Sequence, residues 1–125
     1  MNSTSTQGLR HFVRVPFAAE VQLRVHEGPI QCVLVDIALK GALVRTAKSH
    51  ALVPQEKCRL VLPLTDGGDS IEMEGRIVHL EDRQVGIECQ QIEVNSLTRL
   101  RRLIELNTGD PDLMYRELSL LFGAR

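Results

Sequence analysis

The sequence is poor in aromatic side chains, with three phenylalanines, one tyrosine and no tryptophan among 125 residues. It also lacks an excess of positive charge, because its formal net charge is -1. Small barrels that bind single-stranded nucleic acid stack bases on aromatic rings and follow the phosphates with a basic groove. The composition therefore argues against nucleic acid as a partner.

Long apolar runs are absent as well. None approaches the roughly 18 residues that a membrane-spanning helix needs. The segment from Met1 to Gly8 is polar and has neither the basic nor the apolar region of a secretory signal. We therefore expect a cytoplasmic protein without a membrane span.

Paired cysteines are missing too. Cys32, Cys58 and Cys89 are odd in number and widely spaced, and each falls in an alternating apolar segment, where a reduced and buried thiol is ordinary. The four histidines are scattered, whereas a zinc site wants paired spacings. We expect no metal ion and no cofactor.

The length of 125 residues, with 43% hydrophobic and 25% charged residues, fits one folded domain. We expect a flexible N-terminal arm over residues 1–9 and a single domain over residues 10–125. Within this domain, a barrel is expected over about residues 10–92 and a helical tail over about residues 95–123.

Alternation of apolar and polar residues, which is typical of half-buried strands, recurs along the first ninety residues. Strands are predicted to begin near Phe17, Ile30, Gly41, Cys58, Ile71 and Val85. Turn-forming residues separate them, and no helical crossover joins consecutive strands. The fold class predicted is mainly β, a six-stranded antiparallel barrel or sandwich, and closure into a barrel would remove exposed edges.

The periodicity then changes to three- and four-residue spacing, which is typical of helices. Asn95 or Ser96 is the predicted N-cap of a first C-terminal helix. Asp110 and Pro111 fit the N-cap and first position of a second helix, with Gly123 as its predicted stop. The helices should pack on the barrel, on each other or on a partner subunit.

Two short segments carry a further signal. Arg10 and Arg14 stand four residues apart before the first strand, and Asp36-Ile37-Ala38-Leu39-Lys40-Gly41 lies between the second and third strands. Together they resemble the R-x-x-x-R and D/N-x-S-x-x-G signature of the PilZ family, and Gly86-Ile87-Glu88 in the last strand adds to the resemblance.

The resemblance implies a PilZ-like barrel that binds cyclic di-GMP. A guanidinium can pair two-pronged with guanine O6 and N7 or with phosphate oxygens, so Arg10 and Arg14 are the primary candidate contacts. Asp36 would accept hydrogen bonds from the guanine N1 and N2 edge, and Gly41 would let the backbone turn tightly near the ligand. His11, within the arginine segment, is a further candidate.

Ala38 stands where the family pattern has serine, so a hydroxyl that could bind the ligand or brace the loop is absent. We expect affinity to fall by about one hydrogen bond, roughly 0.5–1.5 kcal/mol. Leu9 occupies a position where many relatives carry an extra arginine, which leaves open whether one dinucleotide or a stacked pair binds. His79 is either a contact to guanine or a residue at the rim of the core.

The predicted function is a cyclic di-GMP receptor whose arm becomes ordered over the barrel and presents a new surface to an unidentified protein partner. Motility, pilus function or exopolysaccharide production are the outputs that the family implies. The alternative is a degenerate PilZ-like adaptor without useful nucleotide binding. No catalytic constellation is recognisable, so we expect no enzymatic activity and no catalytic residues.

Overall fold

Antiparallel strands form a closed barrel in this computed structural model, which describes residues 12–47, 51–64 and 68–122. The strands are β1 (Val15–Val25), β2 (Gly28–Ala38), β3 (Gly41–Thr46), β4 (Lys57–Pro63), β5 (Ser70–Glu81) and β6 (Gln84–Ile92). Their order around the barrel is β1-β2-β3-β6-β5-β4. The predicted six-stranded antiparallel barrel is confirmed, and the strands begin at or shortly before their predicted starts.

Aliphatic side chains of alternate residues fill the barrel. In β4, for example, Cys58, Leu60 and Leu62 are buried while Lys57 and Pro63 are exposed. This two-residue period sends successive side chains to opposite faces of a strand. The same pattern in the other strands produces one continuous core, which explains why alternation alone predicted the strands.

A β-bulge interrupts the alternation of β2. Up to Leu34 the even-numbered residues are buried, but beyond the bulge it is Ile37 that is buried. The pairing with β3 shows the extra residue, because Leu34 lies opposite Val44 and Asp36 lies opposite Leu43. A bulge of this kind places two residues against one on the partner strand. Asp36 consequently faces outward, although uninterrupted alternation from Leu34 would have turned it into the core.

A second bulge does the same in β5. Ile77 pairs with Ile87 and His79 pairs with Gly86, so Val78 is the extra residue. Ile77 is fully buried, whereas the His79 side chain is 53% exposed. Because residues two apart in a strand share a face, the spacing from Ile77 suggested that His79 lies at the rim of the core. That interpretation was wrong, because the bulge resets the alternation and turns His79 to the outer face.

Helix α1 (Val94–Thr108) packs mainly against β5. Leu100 and Ile104, one turn apart, are fully buried at this contact. The predicted N-cap was wrong: Glu93 occupies that position without a side-chain cap. The hydroxyl of Ser96 instead accepts a hydrogen bond from the backbone N–H of Glu72 at 3.0 Å, so it joins the helix to the barrel.

Helix α2 (Pro111–Phe122) follows a turn at Gly109, whose φ of 69° is in the left-handed region. The Asp110 carboxylate accepts a hydrogen bond from the backbone N–H of Leu113 at 3.2 Å, as the predicted N-cap requires. Leu113 and Leu118 pack, half-buried, against the core. The predicted stop at Gly123 lies outside the described residues.

The cysteines are free thiols, with Cys32 and Cys58 buried and Cys89 half-buried. Burial raises the pKa of Cys32 and of Cys58 to about 11. In the described ranges, no helix is both long and apolar enough to cross a membrane. The same ranges contain no cluster of His, Cys, Asp and Glu suited to a metal ion.

Candidate functional site

A row of paired residues crosses the outer face of the barrel on five adjacent strands. Pro16 pairs with Asp36, Asp36 with Leu43, Leu43 with Gly86, and Gly86 with His79. Both bulges contribute to this row, since they turn Asp36 and His79 outward. Residues far apart in the sequence are thereby placed side by side.

Four residues of the row, Asp36, Leu43, Gly86 and His79, form the floor of an open cavity of about 660 Å³. This volume lies within the range of about 300–1,000 Å³ that is usual for small-ligand pockets. The residues that line the cavity are Arg14, Asp36, Ala38, Lys40, Gly41, Ala42, Leu43, Arg76, Val78, His79, Gln84, Gly86, Ile87 and Glu88. Five of the seven residues predicted to bind ligand are among them: Arg14, Asp36, Ala38, Gly41 and His79.

The other two predicted residues, Arg10 and His11, lie outside the described residues, as does the predicted arm over residues 1–9. Their contribution to the site stays a prediction. Arg14 is described, and its exposed side chain stands at the end of the chain segment that leads into β1.

Asp36 is the most unusual group in the cavity. Its Oδ1 atom is buried and has no hydrogen-bond partner among the described residues. Burial raises the pKa of this carboxyl group, and the positive charge of Arg14 partly opposes the rise. A buried acceptor without a donor is costly, and such groups are rare enough that each calls for an explanation, such as a functional role. The cavity therefore presents an acceptor that a ligand donor can satisfy.

The glycines of the site are required by close approach of the strands. A Cβ on Gly41 would lie 2.0 Å from the carbonyl oxygen of Ile87, and one on Gly86 would lie 2.8 Å from Cβ of His79. Gly41 has no left-handed φ, so its predicted role in a tight turn does not explain the need for glycine. Its place beside β6 does explain it.

Further charged groups line the cavity that the sequence did not reveal. Arg76 on β5 donates a hydrogen bond from Nε to Oε1 of Glu88 on β6 at 2.9 Å, and its Nη2 lies 2.9 Å from the same oxygen as an ion pair. Lys40 is half-buried in the turn just before β3. Alternation in β6 places Gly86 and Glu88 on the same face of the strand. The sequence does not show that this face lies near Asp36, because that depends on the order of the strands.

His79 and Ala38 differ in how they border the cavity. His79 Nε2 lies 3.3 Å from Glu81 Oε1, and both side chains are more than half exposed. Ala38 is only 4% exposed, so its methyl group closes one side of the cavity without offering a hydrogen bond. The site thus combines a small apolar floor with Arg14, Asp36, Lys40 and Arg76 around it.

The model of the PilZ domain family matches residues 8–106. The chain belongs to the PilZ domain family. This match spans the barrel and most of α1, and it confirms the resemblance that the arginine pair and the Asp36 to Gly41 segment indicated.

Solved structures with the same fold include two well-matched PilZ domains. The PilZ domain of Escherichia coli YcgR, solved with c-di-GMP, has a TM-score of 0.66 at 11% identity over 78% of this chain and 90% of that one. The PilZ domain of CeSA, from a cellulose-synthesizing bacterium, has a TM-score of 0.59 at 17% identity over 78% of this chain and 96% of that one. At these identities the likeness is one of PilZ fold.

The Bacillus subtilis inhibitor of motility, MotI (DgrA), is also similar. It has a TM-score of 0.66 at 21% identity, and the match covers 79% of this chain and 51% of MotI. This PilZ protein therefore spans about half the length of MotI.

Proposed function

We propose that this PilZ domain is a cyclic di-GMP receptor that binds the dinucleotide in the cavity between Arg14, Asp36 and His79. The observation that carries the proposal is the buried, unpaired Oδ1 of Asp36 in a cavity that Arg14 also lines. The supporting comparison is the PilZ domain of YcgR, which was solved with c-di-GMP.

Each polar group has a complementary part of the ligand. Guanine offers N–H donors on its N1 and N2 edge, which suit the free oxygen of Asp36. Arg14 offers a planar fork of donors for guanine O6 and N7 or for phosphate oxygens. The phosphodiester groups are anionic; Lys40 supplies nearby positive charge, and the charge of Arg76 is partly offset by its ion pair with Glu88.

The apolar floor suits a flat base. Leu43 and Gly86 lie side by side in the row, and the absence of a side chain on Gly86 leaves the floor shallow. His79 stands at the end of the row, where its ring can stack on a guanine. Stacking of a base on an aromatic ring contributes about 1–3 kcal/mol.

These contributions are compatible with micromolar binding. A dissociation constant of about 1 μM corresponds to about 8 kcal/mol. Two arginines at about 1–3 kcal/mol each, hydrogen bonds to the charged Asp36 at about 1.5–3 kcal/mol and one stacking contact reach that order. Ala38 removes about one hydrogen bond, so we expect binding that is several-fold weaker than with serine at this position.

Arg10, His11 and the arm over residues 1–9 are proposed to close over the bound ligand. Ordering of the arm would change the surface beside β1, and a protein that prefers the ordered surface would tighten ligand binding by the same factor. The proposed role is that of a cytoplasmic signalling adaptor that acts by binding and not by catalysis. Control of motility or of surface polysaccharide is the output we propose for it.

Calorimetric titration with cyclic di-GMP tests the proposal. The wild-type protein should bind at micromolar concentrations, and Arg14→Ala should weaken binding tenfold or more with little change in the thermal midpoint, because an exposed arginine adds little to stability. Arg102→Ala, on the exposed face of α1, is the matched control and should bind as the wild type does.

The absence of heat and of amide shifts at about 100 μM ligand would overturn the receptor proposal. It would favour a PilZ adaptor without useful nucleotide binding. The structural reason for this alternative is that Ala38 has a methyl group where the family pattern has a serine hydroxyl. A loss of stability in Arg14→Ala that matches its loss of affinity would show that Arg14 has a structural role instead.

A further inference from the structure

A buried carboxylate on the C-terminal helix contacts the chain beside Arg14. The backbone N–H of Val13 donates a hydrogen bond to Oε2 of Glu117 at 2.6 Å, across 104 positions of sequence. Glu117 is 2% exposed. The contact joins the segment that enters β1 to helix α2, so the two ends of the described chain meet next to the cavity.

This carboxylate is not needed to pack the helix. Leu113 and Leu118 supply apolar contacts from α2 to the core, and the Oε1 atom of Glu117 is buried with no hydrogen-bond partner among the described residues. Burial raises the pKa of Glu117, while the Val13 hydrogen bond and the charge of Arg116 oppose the rise. A buried carboxylate lowers stability compared with an apolar residue of similar size. Its presence therefore points to a role for its hydrogen bond to the Val13 backbone.

What it holds is the backbone that carries Arg14. Residues 12–14 precede β1, whose pairing with β2 begins at Val15 and Ile37. The N–H of Val13 therefore has no ladder partner and takes Glu117 instead. Phe12 is 7% exposed and belongs to the core. Between the buried ring of Phe12 and the first strand pair, the Glu117 hydrogen bond holds the backbone next to Arg14.

We propose that Glu117 is a positioning residue for ligand binding, which holds the Val13 backbone so that Arg14 points into the cavity. The proposal rests on the proposed function in one respect, because the ligand is taken to be cyclic di-GMP. By linkage, a ligand that pulls on Arg14 also strengthens the docking of α2.

The central variant is Glu117→Met, which keeps an unbranched side chain of similar size but removes the acceptor. It should fold about as stably as the wild type, because loss of the Val13 hydrogen bond is offset by removal of a buried carboxylate whose Oε1 atom is unpaired. Its affinity for cyclic di-GMP should nevertheless fall about three- to tenfold, the equivalent of one hydrogen bond. Loss of affinity without loss of stability is the result that a merely structural residue would not give.

Two further variants sharpen the test. Glu117→Gln retains an acceptor oxygen and should restore affinity to within about twofold of the wild type. Asp112→Asn removes an exposed carboxylate from the first turn of the same helix and should change nothing. Equal affinity losses in Glu117→Met and Glu117→Gln, or none in either, would overturn the positioning role.

Amide hydrogen exchange of the ligand-free protein separates this inference from the proposed function. The Val13 amide should be protected in the wild type and in Glu117→Gln, and should exchange faster in Glu117→Met. An unprotected Val13 amide in the wild type would overturn the inference even if cyclic di-GMP binds. A protected amide in a protein that binds no cyclic di-GMP would refute the receptor proposal but would still support the Glu117 hydrogen bond to the Val13 backbone.

Discussion

Substitution of Gly41 by alanine should strongly destabilise the barrel. The added Cβ would lie 2.0 Å from the carbonyl oxygen of Ile87 and 3.1 Å from its carbonyl carbon, where ordinary contacts are 3.4–4 Å. The obstacle is the backbone of β6, which pairs with β3 on one side and β5 on the other, so it cannot rotate away as a side chain would. The two strands must separate locally.

The magnitude follows from two opposing effects. Forcing an extra methyl group into a packed region typically lowers stability by about 1–3 kcal/mol, and more where the backbone must move. Replacing glycine with alanine restricts the unfolded chain and returns about 0.4–1 kcal/mol. We therefore expect Gly41→Ala to lower the free energy of unfolding by about 2 kcal/mol or more, which corresponds to a fall of about 8 °C in the thermal midpoint for a domain of this size.

Urea unfolding followed by circular dichroism, together with a thermal melt, measures this change. Gly75→Ala is the matched comparison. A Cβ on Gly75 would lie 2.3 Å from the carbonyl oxygen of Glu88, which is on β6 like Ile87, yet Gly75 does not line the cavity. Both variants should lose stability, and only Gly41→Ala should also lose affinity when measured on fully folded protein. A change below about 0.5 kcal/mol in Gly41→Ala, the range of neutral surface substitutions, would refute the close-approach explanation.

Two other outcomes follow from buried titratable groups. Burial raises the pKa of Asp36 above its ordinary 3.8, so the folded state keeps this proton to higher pH than the unfolded chain does. The stability that the protonated form contributes is therefore lost as the pH rises through the raised pKa. Asp36→Ala should therefore gain in stability relative to the wild type as the pH is increased from about 4 to 7, measured by urea unfolding, while its affinity for cyclic di-GMP falls about tenfold or more. Cys32 and Cys58, with pKa values of about 11, should resist a thiol reagent at pH 8 until urea unfolds the protein, and rapid labelling of either in the native state would contradict their burial.

Much of the fold could be predicted from the sequence, because its signals are local. Alternation in β4 and three- and four-residue spacing in α1 each depend only on neighbours in the chain. The order of the strands depends on long-range pairing, and the place of β6 between β3 and β5 left no local trace. The start of α1 was misplaced because the hydroxyl of Ser96 binds the barrel at Glu72 and does not cap its own helix.

The site divides along the same line. Arg14 and Asp36 were predicted because they belong to short motifs, and the structure brings both to one cavity. Lys40 lies within the predicted Asp36 to Gly41 segment but was not named as a contact, and Arg76 was missed because nothing in the sequence shows which strands adjoin. Glu117 was missed because a contact across 104 positions follows from tertiary packing alone.

The bulges at Val35 and Val78 also determine where this barrel tolerates a change in strand length. Elsewhere in a strand, loss of one residue exchanges the inner and outer faces of everything that follows. Val35 is surplus in its pairing with β3, although two residues of β1 lie opposite it, and Val78 is surplus in its pairing with β6. Removing either would leave Asp36 or His79 facing outward and the next residue facing the core. A PilZ barrel that lacks either residue would keep Asp36 and His79 on the outer face of a less twisted sheet. Deletion of a strand residue outside the bulge would instead turn these side chains toward the core.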